Sequence, residues 1–190
     1  STQTLSSTSD TTPSSIPPTS QTSQIPPTSM TTPASLAFPG ILPPAEIYRK
    51  QIRLSTTKGE IVFDLFDDTA PKTVSNFVYL TNQGFYNGLT FHRREPGFVI
   101  QGGDPKGNGT GGPGYKFEDE LKDSRTYTRG IVAMANSGSN TNGSQFFIML
   151  ADTPLPKNYT IFGNVVSGME VVDNIQVGDK MTTVTVEDKK

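Results

Sequence analysis

Two short segments of the chain carry the side chains that could do chemistry. The first runs from Phe91 to Asp104 and reads FHRREPGFVIQGGD, and the second runs from Ala133 to Ile148 and reads AMANSGSNTNGSQFFI. Together they offer two guanidinium groups, several carboxamides and several phenyl rings. Neither segment sets a nucleophile, a metal cluster or an acid/base pair beside these groups. The combination suits a reaction in which no covalent bond is broken.

Rotation about the amide bond before a proline is a reaction of that kind. Amide resonance sets its barrier at roughly 18 to 20 kcal/mol, and the twisted transition state leaves a lone pair on the prolyl nitrogen. A guanidinium held against that nitrogen would stabilise the twisted form more than the planar form. Arg93 could supply this guanidinium, although from the residues alone a lone arginine on a strand is more typically a salt-bridge residue; its assignment as the catalytic residue comes with the family resemblance given below. Arg94 should point the opposite way and take a surface role.

Both segments resemble the cyclophilins, the family of peptidyl-prolyl cis-trans isomerases, and the resemblance runs from about Ile47 to Val186. The motifs FHR, PGF, QGGD, NGTGG, FEDE, MAN and NTNGSQFFI occur in family order and at family-like spacings. The resemblance implies an isomerase that needs no metal or organic cofactor. Its substrates would be X-Pro bonds in unfolded proteins or exposed segments, whose isomerisation can limit folding.

The resemblance also assigns roles to individual residues. Gln101 and Asn136 would hold the main chain of the substrate, and Gln145 with Gly109 would line a pocket for the residue two before the proline. The implied catalytic group is Arg93, Phe98, Gln101 and Phe147. The implied substrate-binding residues are Val99, Gly109, Ala135, Asn136, Ser137, Gln145, Leu155, Pro156 and Tyr159.

Within that set, Phe98, Phe147 and Leu155 would form the proline-ring pocket, with Val99 and Pro156 at its wall. Phenylalanines at strand spacing are also typical of a core, which is the structural alternative for Phe147.

One region departs from better-known family members. Leu155 stands where a Trp often stands, and Tyr159 where a His often stands. Neither position supplies the arginine or the phenylalanine rings of the pocket, so we expect catalysis to survive. Tight binding of cyclosporin, which in the family depends on that Trp, is put in doubt, and we expect weak binding.

The pattern of apolar residues indicates which elements position these groups. Strands are predicted at residues 51–54, 60–66, 98–101, 131–135, 145–150, 160–165 and 182–186. A helix should begin after an N-cap at Asp67 or Asp68 and end before Gly84, and a second should run from Met169 to Gln176. Many strands with two helices favour a mainly β fold, a closed eight-stranded antiparallel β-barrel capped by two α-helices. The cyclophilin resemblance implies the same architecture.

The period of two along a strand sorts the side chains by face. Val99 and Gln101 should share one face, as should Gln145 and Phe147, and these residues would form the groove wall. Phe146 and its alternating neighbours Ile148 and Leu150 should fill the core.

The first 44 residues have a different composition from the rest. Ser, Thr or Pro occupies 29 of these positions, and IPPTS occurs twice. Such a segment cannot build a core, so residues 1–44 are predicted to be a disordered linker ahead of an isomerase domain at 45–190. The alternatives are a Pro-rich recognition arm or a glycosylated stalk. Because the chain starts at Ser, we expect a processed precursor and an extracytoplasmic location, secreted or membrane-tethered, with a cytoplasmic location as the alternative.

Charge and composition limit the possible partners. Without the tail, 16 basic and 17 acidic residues remain, so no electrostatic footprint for nucleic acid is visible. The chain has no cysteine, which excludes disulfides and thiolate chemistry. GNGTGG at residues 107–112 matches a dinucleotide motif but is followed by proline and glycine instead of a helix. The simplest assembly is a monomer.

The remaining polar residues near these motifs have structural interpretations. His92 is interpreted as a hydrogen-bonded structural histidine. Asp104 and the acids at 118–120 are interpreted as a solvated acidic loop in preference to a glycosidase pair or a calcium site.

The alternative to an isomerase is a proline-segment binding or scaffold module without turnover, which would not need to retain Arg93.

Overall fold

The computed structural model describes residues 35–190 of the chain. Eight strands and three helices occupy this range, and no helix in it is long and apolar enough to cross a membrane. In chain order the elements are α1 (Pro44–Ile47), β1 (Lys50–Thr56), β2 (Gly59–Leu65), α2 (Pro71–Asn82), β3 (Phe91–Glu95), β4 (Val99–Gly102), β5 (Ile131–Met134), β6 (Phe146–Met149), β7 (Ile161–Ser167), α3 (Met169–Asn174) and β8 (Met181–Asp188).

The strands form one antiparallel sheet in the order β3-β4-β6-β5-β7-β2-β1-β8. Its two edge strands approach each other through an isolated bridge between Thr90 and Lys180. The amide of Phe91 donates to the carbonyl of Asp179 over 2.9 Å, which adds to this contact. The eight antiparallel strands confirm the predicted mainly β fold class. The two edges of the sheet meet through a bridge and single hydrogen bonds instead of a full ladder.

The sheet separates two apolar clusters. The larger cluster lies between the sheet and α2 and includes Phe63, Phe77 and Phe146, all fully buried. The smaller lies on the opposite face and includes Val99 and Phe147. The predicted alternation along β6 is therefore confirmed, because neighbouring phenylalanines serve different faces of one strand.

Helix α2 begins differently from the prediction. Its N-cap is Ala70, which makes no side-chain cap, and Pro71 occupies the first turn. The predicted caps at Asp67 and Asp68 are wrong because a distant carboxylate takes their place. Glu120 accepts hydrogen bonds from the backbone amides of Lys72 and Thr73 over 3.0 and 2.8 Å. A carboxylate at this position also complements the positive end of the helix dipole.

The boundary between tail and domain also needs correction. Residues 35–44 are described together with the domain, whereas the predicted linker extended to residue 44. Leu36, Phe38 and Leu42 are half-buried and pack against the larger cluster. They do so because the Ser/Thr/Pro-rich composition ends before them and apolar side chains recur at short intervals. The predicted disorder of residues 1–34 lies outside the described residues and stays a prediction.

Candidate active site

The placement of Arg93 depends on a bulge in the sheet edge. Strands β3 and β4 pair Phe91 with Gly102 and Arg93 with Gln101, so His92 is an extra residue on β3. Without that extra residue, Arg93 would lie opposite Ile100 and share the core-facing side of the sheet. The bulge therefore brings the guanidinium to the same face as Gln101.

A relay of hydrogen bonds fixes the orientation of both glutamines at this face. Arg93 Nη1 donates to Gln101 Oε1 over 3.1 Å, and Gln101 Nε2 donates to Gln145 Oε1 over 3.0 Å. Gln145 Nε2 in turn donates to the carbonyls of Gly109 and Gly111 over 3.0 and 2.9 Å. Because a backbone carbonyl only accepts, the side-chain nitrogen of Gln145 must face the two glycines and its oxygen must face Gln101. The Gln101 nitrogen then faces Gln145, and the Gln101 oxygen faces Arg93. Every member of the relay is thus oriented from the glycine loop to the guanidinium.

A ring-sized cavity of about 270 Å³ opens beside Arg93. Its apolar wall comes from the smaller cluster, and Arg93 is its only charged member. The Arg93 guanidinium carbon lies 5.9 Å from the centre of the Phe98 ring. The lining residues are Arg93, Phe98, Val99, Gln101, Ala135, Asn136, Phe147, Leu155 and Tyr159.

One side of this cavity is held by a tyrosine that the sequence analysis missed. Tyr127 is buried, donates its hydroxyl proton to the carbonyl of Tyr159 over 2.7 Å and accepts from the Tyr159 amide over 3.1 Å. Burial raises the pKa of the Tyr127 hydroxyl further above neutrality. The Tyr159 ring meets Phe147 edge-on at 5.5 Å. Tyr159 lies in a loop where half-buried and exposed side chains alternate. The sequence of this loop shows no strand or helix pattern, so it could not identify Tyr127 as the partner of Tyr159.

A second, larger cavity of about 640 Å³ adjoins the first. The two cavities share Gln101, Ala135 and Asn136. Gly109, Ser137 and Gln145 line the second cavity only. Apart from Pro156, the sequence-predicted residues thus line two adjacent cavities: the first has an apolar wall that includes Phe98 and Phe147, and the second includes Gly109 and Gln145.

Asn136 connects these cavities to the loop that follows β6. Its Nδ2 donates to the carbonyl of Asn158 over 2.8 Å, and its Oδ1 accepts from the amide of Gly138 over 3.2 Å. The Asn136 side chain is therefore engaged with its own protein, and the backbone at residues 135–137 borders the space between the cavities.

Three sequence interpretations are corrected near the groove. Pro156 is exposed and lines neither cavity, because it alternates with the inward-facing Leu155 along the loop. Arg94 is half-buried instead of taking a surface role, and its Nη2 donates to the carbonyl of Asp173 over 3.0 Å near the end of α3. His92 Nδ1 is buried without a hydrogen-bond partner among the described residues, which contradicts its interpretation as a hydrogen-bonded histidine.

Asp104 organises the glycine loop at the rim of the second cavity. It is buried, which contradicts its interpretation as part of a solvated acidic loop. Its carboxylate accepts from the amides of Lys106, Asn108 and Gly109 over 2.7, 3.0 and 2.5 Å. Burial raises the pKa of the Asp104 carboxyl, but these backbone donors together outweigh it, and the pKa lies below its ordinary value.

The comparisons with known proteins agree on one family. A family model described as "Cyclophilin type peptidyl-prolyl cis-trans isomerase/CLD" matches residues 51–189. The chain is 52% identical over 127 residues to peptidyl-prolyl cis-trans isomerase CYP18-1 of Arabidopsis thaliana, covering 64% of this chain and 79% of that protein. It is 50% identical over 130 residues to peptidyl-prolyl cis-trans isomerase B of Bacillus subtilis, covering 67% and 91%.

Solved structures give the same result. The crystal structure of a cyclophilin type peptidyl-prolyl cis-trans isomerase of Cryptosporidium parvum aligns with a TM-score of 0.70 and 35% identity, covering 75% of this chain and 100% of that chain. The structure of that protein in the presence of the dipeptide Ala-Pro aligns with a TM-score of 0.68 and 35% identity, covering 73% and 99%.

Proposed function

The chain belongs to the cyclophilin-type family of peptidyl-prolyl cis-trans isomerases, and we propose that its reaction takes place in the groove beside Arg93. The chain is an enzyme of the isomerase class, and it accelerates rotation about X-Pro peptide bonds. The residue roles that follow are proposals built on the geometry of the two cavities.

The smaller cavity is proposed to hold the proline ring of the substrate. Phe98 and Phe147 offer it an apolar surface, and both line a volume of about 270 Å³. With the ring in this cavity, the prolyl nitrogen lies on the side of Arg93. The guanidinium then donates to the nitrogen lone pair that appears only as the amide twists, so it stabilises the transition state more than the planar ground state.

The peptide on the N-terminal side of the proline is proposed to cross the shared wall at Gln101 and Asn136. If this wall holds the residues before the proline and the ring cavity holds the proline, rotation is confined to the peptide bond between them. The related structure studied in the presence of Ala-Pro supports a proline-containing peptide as the substrate. Unfolded proteins and exposed proline segments are the proposed natural substrates, because uncatalysed X-Pro exchange takes tens of seconds or longer.

Two partner properties are proposed alongside this activity. Cyclosporin should bind weakly, because Leu155 at the cavity offers no aromatic surface in place of a tryptophan ring, and a titration with cyclosporin checks this. The domain should be a monomer, which sedimentation equilibrium measures directly.

The observation that carries the proposal is the hydrogen bond from Arg93 to Gln101 at the mouth of the ring cavity. NMR exchange spectroscopy on an Ala-Pro peptide tests it, with the intact protein compared with Arg93→Ala. Acceleration should fall more than tenfold in this variant, which corresponds to at least about 1.4 kcal/mol of transition-state stabilisation. Arg93→Lys should also be impaired, because a lysine lacks the planar pair of donors.

Arg49→Ala is the matched control, because Arg49 is exposed and lines neither groove cavity. A loss below tenfold in Arg93→Ala, or an equal loss in Arg49→Ala, would refute the assigned mechanism. Peptide binding without acceleration by the intact protein would instead establish the alternative, a proline-segment binding module.

A further inference from the structure

The segment just ahead of the family-matched region packs onto the domain. Leu36 and Phe38 are half-buried and alternate with the exposed Ser35 and Ala37, as in an extended strand. Further on, the amide of Leu42 donates to Ser75 Oγ of α2 over 2.9 Å. We call residues 35–42 the N-terminal strap.

Phe38 is the main aromatic contact of the strap. Its ring stacks on Phe117 with 4.8 Å between centroids and 7° between planes. It also meets Tyr115 at 6.0 Å in a tilted arrangement. Both partners belong to the loop that follows the glycine run, and Tyr115 lines the second cavity, so the strap contacts one wall of that cavity.

Tyr115 and Phe117 carry this contact to the lining of the second cavity. Tyr115 itself lines the cavity, and its hydroxyl donates to Asn76 Oδ1 over 2.6 Å. Asn76 Nδ2 donates to the carbonyl of Gly143, another lining residue, over 2.8 Å. Phe117 pairs its backbone with Asn142 in both directions over 3.0 and 3.2 Å.

Two kinds of contact therefore hold the loop wall. Helix α2 and the segment at residues 142–143 hold it through hydrogen bonds, and the Phe38 ring holds it through stacking. A stacked aromatic pair contributes stabilisation beyond the area that it buries. Loss of the Phe38–Phe117 stack would therefore reduce the fraction of molecules in which the loop wall is packed as described. The apparent affinity for the substrate falls in proportion to that fraction.

We propose that Phe38 is a positioning residue for substrate recognition: the strap holds the Tyr115–Phe117 wall so that the second cavity can bind the residue two before the proline. This inference rests on the proposed function. The two cavities share a wall, and a residue two places before the proline is at most about 7 Å along an extended chain. Phe38 thus affects binding of longer peptides, and it has no contact with the ring cavity where the bond rotates.

The experiment compares two peptides on the full chain carrying Phe38→Ala. One peptide is Ala-Pro, which ends before the second cavity, and the other has three residues ahead of the proline. We expect KM for the longer peptide to rise about threefold or more, with kcat unchanged and with KM for Ala-Pro unchanged. Ile41→Ala is the matched control, because Ile41 lies in the strap and is 58% exposed, and it should alter neither peptide.

An equal rise in KM for both peptides, no rise for the longer peptide, or the same rise in Ile41→Ala would overturn the inference. If Phe38→Ala does not fold, Phe38→Leu keeps an apolar contact while it removes the ring stack, and the same comparison applies. Absence of acceleration by the unsubstituted protein would refute the proposed function alone. In that case NMR titrations with the two peptides still decide the role of Phe38, through their dissociation constants.

Discussion

The guanidinium of Arg93 keeps its charge available for a substrate. Its only acidic neighbour among the described ion pairs is Glu95, 3.4 Å from Nε, and the two side chains are 45% and 52% exposed. An ion pair this exposed is worth about 0 to 1 kcal/mol, so a substrate can displace it easily. The stronger constraint is the relay through Gln101, which directs one nitrogen of the guanidinium.

Gln145→Met tests whether the relay positions Arg93. Methionine keeps the size of the side chain and removes the amide that fixes Gln101. A lost hydrogen bond is worth about 1 kcal/mol, so kcat for Ala-Pro should fall about fivefold. Exchange spectroscopy at saturating peptide measures this effect.

The combined variant separates positioning from simple binding. In an Arg93→Ala background, Gln145→Met should cause little further loss, because the group that it orients is already absent. Gln83→Met is the control, since Gln83 is exposed at the end of α2 and outside both cavities. Fully additive losses at Arg93 and Gln145 would show that no coupling exists between them.

At the scale of elements, the glycine loop depends on one buried carboxylate. Asp104 accepts from three backbone amides of residues 106–109, and these bonds favour its charged form. Its folded-state pKa is therefore below the unfolded value of about 3.9. A group with a depressed folded pKa contributes stability above the unfolded value, and this contribution is lost as the pH falls through the folded value.

Asp104→Asn should remove the stability that the ionised Asp104 carboxylate contributes. At pH 7 we expect a loss of about 1 to 3 kcal/mol in the free energy of unfolding, because buried amides lose their charged acceptor. Urea unfolding at pH 7 and near pH 3 measures it, and the gap between variant and unsubstituted protein should narrow in acid. Asp68→Asn, at an exposed position, should change stability by less than about 0.5 kcal/mol. A gap that stays constant with pH would contradict the assigned charge state.

Local pattern predicted the features that depend on neighbouring residues. The alternation of Phe146 and Phe147 between two faces follows from strand geometry, and the structure confirms it. The period of two also predicted that Gln101 shares a face with Val99. The residues at Ala135 and Asn136 were predicted from the family motif, and they border both cavities.

Features that depend on distant partners could not be predicted in this way. The extra residue at His92 is defined only by the register against β4. Helix α2 takes its N-terminal acceptor from Glu120, 47 positions from Thr73 in sequence. Phe38 was assigned to the tail because composition averaged over 44 residues hides a short apolar stretch at its end.

At the scale of the whole molecule, the strap decides where the folded unit begins. Leu36, Phe38 and Leu42 all pack on the larger core cluster, whereas residues 1–34 have a composition that cannot build a core of their own. Removal of residues 1–34 and removal of residues 1–44 should therefore have different effects. Thermal unfolding of the two shortened proteins beside the full chain measures the difference.

The protein that starts at residue 35 should unfold within about 1 °C of the full chain. The protein that starts at residue 45 should lose about 2 to 4 kcal/mol, because three half-buried apolar side chains no longer leave water. For a protein of this size that loss lowers the midpoint by at least about 4 °C. Equal midpoints for the two shortened proteins would mean that the strap contacts contribute nothing to stability. An equal loss in both would place the stabilising contacts ahead of residue 35, and the strap would then be a spacer instead of part of the domain.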